Sequence, residues 1–280
     1  MKKIIFTILA LTAVILTAVF VCLYFASSLL QQNQSLSFVR RGEGEVVYPI
    51  PQSKSITGLI VPHFDPVSNL SVDALSHVTT TPDLIILIGP NHFEAGASPI
   101  ITGKYISAKV PLHPIFAIEK MQQLSKMQIA SYEDQTISSE HSIGTPLPFI
   151  VQRFPSTPII PIILKYHQKA EDIDRLITTL QSISSSSTLI IASLDFSHYL
   201  SSDIAPIKDA KMQKYIENRD YKQIEGLSND YIDSPWTLIT FLRYLELAGV
   251  TQGQMLEHTN TGQVAGQIIE SSTSFFTYIY

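Results

Sequence analysis

The sequence has a single cysteine in 280 residues, Cys22, so an internal disulfide is excluded and no thiolate ligand exists beyond that position. Any metal held by the rest of the chain must rely on His, Asp or Glu. Basic residues are also scarce. Lys and Arg number 19 against 24 Asp and Glu, and no cluster of them interleaves with aromatics, which argues against a nucleic-acid surface. Long apolar runs are missing with one exception, Ile4 to Ala26, whose 23 uncharged residues follow Met1-Lys2-Lys3. As a helix that run covers the ~30 Å hydrocarbon core of a bilayer. It exceeds the about 7 to 15 residues of a cleaved signal peptide's apolar region. Phe20-Val21 before Cys22 is too bulky for a lipoprotein cleavage box. Residues 1–30 are therefore expected to be an uncleaved, single-pass signal anchor. Lys2 and Lys3 would hold its start in the cytoplasm and place the remainder in an extracytoplasmic position, although Arg40 and Arg41 dilute the asymmetry.

Residues 31–55 are polar, contain Gly42 and Gly44, and read as a linker. Residues 56–280 read as one α/β domain. Gly58 to Val61, Leu84 to Ile88, Pro158 to Leu164 and Leu189 to Ala192 are short apolar runs without alternation, the pattern of strands buried on both faces of a mostly parallel sheet covered by helices. Ser274 to Tyr280 reads as a terminal strand. Helical spacing occurs over Ile115 to Met127, Ala170 to Ile183 and Asp203 to Asn218, and Ser234-Pro235 opens a further helix that closes at Gly249.

Three of these runs end in a histidine segment: Val61-Pro62-His63, Gly89-Pro90-Asn91-His92 and Asp195-Phe196-Ser197-His198. Ligands of open α/β sheets gather outside the carboxyl ends of the strands, so the three segments are expected to converge. Glu140-His141-Ser142 adds a further acid and imidazole pair. Taken singly, a histidine after a strand is usually a turn or core residue; three at corresponding positions make a divalent metal site an equal contender. His77, His113, His167 and His258 lack such placement and read as structural.

Those segments, with Leu147-Pro148-Phe149, Ile160-Pro161-Ile162 and Ala192-Ser193-Leu194-Asp195-Phe196-Ser197-His198-Tyr199, resemble in order the motifs of the Memo family, also called AmmeMemoRadiSam system protein B. The resemblance runs from about Gly58 to Tyr280. It implies a fold similar to class III extradiol dioxygenases, a metal pair of His63 and His92, a proton-transfer role for His198, and Asp195 and His141 lining the cleft. Fe(II) is the metal that it favours, with Cu or Zn as alternatives. Three departures stand out. Phe64-Asp65-Pro66 replaces a small residue, glycine and an aromatic. Pro146 and Gly144 stand where relatives carry His and Glu. Asp233-Ser234 stands where the family has Cys-Gly, so Asp233 either supplies the third metal ligand or simply assists a helix N-terminus.

Two functional classes follow from the resemblance. One is a non-haem iron, dioxygenase-like enzyme acting on an unknown small molecule; the other is a non-catalytic module that takes up a peptide or metal in the same cleft, with Phe64, Phe93 and Tyr199 as its aromatic lining. Metal-assisted hydrolysis with Glu140 or Asp195 as base ranks last, because no His-Glu-x-x-His motif occurs.

Overall fold

Apolar runs long enough for one strand, separated from one another by helical segments, leave the chain little choice but to stack strands side by side and cover them. The computed structural model describes residues 56–107 and 113–280 and shows that arrangement. The expected anchor at residues 1–30 and linker at 31–55 lie outside the described residues. Among the described residues no helix is long and apolar enough to cross a membrane.

The strands are β1 (Gly58–Val61), β2 (Leu84–Pro90), β3 (Ile100–Thr102), β4 (Ser131–Tyr132), β5 (Ile159–Leu164), β6 (Thr188–Ser193), β7 (Phe196–Leu200), β8 (Gln254–Asn260) and β9 (Ser272–Ile279). The helices are α1 (Ser68–Ser76), α2 (Ile118–Lys126), α3 (Asp134–Ser139), α4 (His141–Gly144), α5 (Leu147–Arg153), α6 (Ala170–Ile183), α7 (Ala205–Asn218), α8 (Tyr221–Glu225), α9 (Pro235–Leu247) and α10 (Thr261–Ala265).

The nine strands of the described residues join one sheet in the order β4-β3-β5-β2-β6-β1-β9-β7, with β8 paired to β9. The centre, β5-β2-β6-β1, is parallel, whereas β9 runs antiparallel to β1, β7 and β8, and β3 antiparallel to β5. The sheet is therefore mixed rather than mostly parallel as expected. The reason lies at the C-terminus, where the chain passes through α10 after β8 and β9 then returns antiparallel beside both β8 and β1.

Every residue of β1, β2, β5 and β6 is buried. Alternate side chains serve opposite faces. Ile60, Ile86, Ile88, Ile160 and Ile190 join the core formed with α6 and α9, while Leu59, Ile85, Leu87 and Ile191 are equally buried on the other side. Each such aliphatic side chain contributes about 1.5–3 kcal/mol on burial, which fixes register, since a one-residue slip would turn the other face outward. Helix α9 begins as the sequence predicts. Ser234 Oγ accepts from Thr237 N, Pro235 occupies the first turn, and Gly249, at φ 78°, follows its end. This holds the residue before the cap, Asp233, at the carboxyl edge of the parallel centre.

Candidate metal centre

Three neighbouring parallel strands deliver the first groups. β1 leads to His63, β6 to Asp195 and β2 to His92. Because β1 and β2 both flank β6, the three residues leave the same edge of the sheet. Beyond β2, Asn91 closes the loop on itself, donating through Nδ2 to Ala95 O and accepting at Oδ1 from Ala95 N. The short helix α4 docks against this strand end. Ser142 Oγ donates to Pro90 O at 2.7 Å, and a Cβ placed on Gly89 would stand only 2.6 Å from that hydroxyl. The close approach brings His141 against His92, their rings stacked at 4.1 Å between centroids.

His63, His92 and His141 each offer a ring nitrogen within 4.8 Å of the other two. Glu140 sets the orientation of two of them. Its Oε1 accepts from His92 Nδ1 at 2.8 Å and lies 3.2 Å from His141 Nδ1, while Oε2 accepts from the His92 backbone N–H. With Nδ1 engaged on both rings, Nε2 is the nitrogen left for a ligand. His63 Nδ1 sits 3.1 Å from Ser193 Oγ, so this ring too turns Nε2 toward the cleft.

The carboxylates complete the arrangement. Asp233 Oδ2 lies 3.2 Å from His63 Nε2 and 3.8 Å from His92 Nε2, and accepts from Asp195 N at 3.0 Å. Asp195 Oδ1 accepts from His63 N at 3.1 Å. Burial opposes a charge on His63, but the carboxylates of Asp195, Asp233 and Glu140 overcome it and raise its pKa to about 9. Burial also disfavours an ionised Glu140, yet hydrogen bonds from His141 and His92 hold it well below the usual carboxylate range. The two buried aspartates are pushed apart. Burial drives Asp195 up, with the charge of Asp233 adding to the effect, whereas the hydrogen bond from His63 outweighs burial at Asp233 and holds it down.

His198 is also at this edge, within electrostatic reach of Asp195 and Asp233, but it is not one of the three clustered imidazoles. Sequence reasoning placed it in a loop after a strand; it stands instead inside β7. His77, His167 and His258 lie outside the cluster, His77 beside Asp73 and His258 against Asp209. One partner escaped the sequence reading: Ser193, which follows the Leu189 to Ala192 run, was given no role at the site, although its hydroxyl lies 3.1 Å from His63 Nδ1. Glu140 was paired with an imidazole from the sequence, but its contact with two rings at once was not foreseen. The only available signal for Ser193 was a small hydroxyl interrupting an otherwise apolar run.

The donor set suits a divalent cation. Imidazole and carboxylate converge, and among the described residues Asp233 Oδ1 and His198 Nδ1 are buried without a hydrogen-bond partner.

Comparison with known proteins places the chain among named relatives. Curated relatives include a MEMO1 family protein of Caldivirga maquilingensis, 26% identical over 77% of this chain and 80% of its own length. Others are a MEMO1 family protein of Methanosarcina barkeri, 29% identical over 78% and 84%, and one of Thermotoga neapolitana, 27% identical over 82% and 86%. The fold is similar to that of an uncharacterized protein of Escherichia coli K12 known from a crystal structure, with a TM-score of 0.52 at 10% identity, covering 80% of this chain and all of that one. The model of the Memo-like protein family matches residues 33–278, and the chain belongs to the Memo family.

Proposed function

We propose that this Memo family chain binds one divalent cation through Nε2 of His63, His92 and His141 together with the Asp233 carboxylate. The observation that carries the reading is the convergence of the three imidazoles within 4.8 Å, two of them oriented by Glu140. Fe(II) is the proposed ion, because imidazoles with a hard carboxylate, in place of the family's thiolate, match the donor set of non-haem iron sites. A bound Fe(II) would supply Lewis-acid and one-electron chemistry of the dioxygenase-like kind.

The chain's own part is then clear. His63 gives up the proton that Asp195 and Asp233 stabilise on it. Glu140 keeps its charge and fixes the rings of His92 and His141. His198 Nδ1, buried and unpartnered among the described residues, is available to take a proton from an acidic ligand. Phe64, Phe93 and Tyr199, all exposed, flank these histidines in sequence and favour a flat aromatic ligand over a polar one. The same exposure supports the second reading, a non-catalytic module in which a peptide occupies the cleft. The uncharged Ile4 to Ala26 segment supports a membrane anchor with the domain outside the cytoplasm.

Purification of the full chain without oxygen, followed by metal analysis, tests the proposal. Stoichiometric iron that is lost in His63→Ala and in His92→Ala, and kept in His77→Ala, is the expected result. Iron retained by the first two variants rejects the ligand set. Oxygen uptake with catechols supports the enzyme, and bound metal without turnover supports the module.

A further inference from the structure

Strand β7 is irregular where it matters. Ser197 at φ 37° and Tyr199 at φ 62° both occupy the left-handed region, on either side of His198, and the register with β9 shifts between Phe196 and Leu200. Neither residue is glycine, so each conformation is disfavoured by its own Cβ and has to be held from outside. Two carbonyls hold the backbone, Ser197 N donating to Tyr231 O at 3.0 Å and His198 N to Asn229 O at 2.8 Å.

The remaining restraint is a carboxylate on α7. Asp209 is fully buried. Its Oδ1 accepts from Ser197 Oγ at 2.5 Å. Its Oδ2 accepts from Ser274 Oγ at 2.7 Å and lies 2.8 Å from His258 Nε2. The His258 ring is itself stacked on Phe276 at 4.4 Å, so the network is anchored to β8 and β9. The outcome is that Tyr199 is turned out to solvent while His198 Nδ1 is buried. An apolar side chain at position 209 would close the seam between α7 and β9 without removing a carboxylate from water. The carboxylate therefore answers to its polar partners rather than to packing, and of these Ser197 is the one on the strained turn.

We propose that Asp209 is a positioning residue for His198. By gripping the Ser197 hydroxyl it locks the left-handed turn of β7 that presents the imidazole to Asp195 and Asp233. This inference rests on the reading of His198 as the proton-carrying group of the metal cleft.

The test uses the full chain labelled with 13C and 15N histidine, with Co(II) as the metal probe, and follows each imidazole by NMR. His63, His92 and His141 are expected to show hyperfine shifts in wild type, Asp209→Ala and Ser197→Ala alike. The shift on His198 is expected to be lost in both variants and regained in part in Asp209→Asn, which keeps one oxygen to accept from Ser197. Should Asp209→Ala fail to fold, Ser197→Ala alone decides. A His198 shift unchanged in Ser197→Ala overturns the proposal, as does simultaneous loss on all four rings, which would make the network a general support. If wild type shows no shift on the three clustered histidines, the metal reading falls, and the metal-free spectra decide the positioning. Displacement of the His198 resonance alone by Ser197→Ala supports it, and an unmoved resonance rejects it.

Discussion

The two sides of the sheet deliver histidines to one cleft by different means. The parallel centre sends out His63 and His92 from regular strands whose every residue is buried, so aliphatic packing sets where those strands run. The antiparallel C-terminal side carries His198 within a bulged strand, held by hydrogen bonds to a buried carboxylate. Packing fixes position without regard to charge, whereas a polar network specifies one conformation and is sensitive to the loss of a single partner. The difference predicts that stability and metal binding can be separated by substitution.

The strongest test of that separation is Ile190→Ala in β6, fully buried between β1 and β2, which should cost about 2–5 kcal/mol in denaturant unfolding. The variant should still bind metal one to one; loss of the metal would break the distinction. Next, Glu140→Gln should weaken metal affinity about 10–100-fold by releasing the rings of His92 and His141, with a smaller loss in unfolding than Ile190→Ala.

Acidity sharpens the contrast further. His63 is raised to about 9, so its contribution to the metal-free fold is fully present below its ordinary value of 6.5 and fades as pH rises through 9. Metal affinity must run the opposite way, climbing about tenfold per pH unit below 9 as the competing proton leaves. Calorimetry in buffers of different ionisation enthalpy should register the proton released on binding. A pH-independent affinity over that range would show that His63 is not a ligand. The smallest effect belongs to Ser234→Ala, where loss of the cap on α9 should cost about 0.5–2 kcal/mol in thermal unfolding and leave metal stoichiometry unchanged.

The sequence announces the centre of this fold far better than its margins. β2 and β6 are runs of Ile and Leu that no other burial pattern explains, and the cap, proline and glycine of α9 are local signals read without tertiary context. The histidines at the ends of β1 and β2 were legible for the same reason. β8 was not, because Gln254 to Asn260 is polar and half-buried beside β9 and carries no clean alternation. β7 is short and bulged, so its period is broken at the residues that matter. The direction of β9 has no signature in composition, and a mixed sheet therefore read as a mostly parallel one. Asp209 was the least visible. Between Lys208 and Lys211 it looks like part of a solvated helical face, although its side chain is sealed inside.

Gly89 acts as a spacer of zero thickness. The only atom between the end of β2 and the Ser142 side chain is a hydrogen, and that gap sets how closely the loop carrying His141 can lie against the loop carrying His92. A methyl group there would lengthen the span between two imidazoles without touching either, so the bite of the site is gauged by a residue that has no side chain.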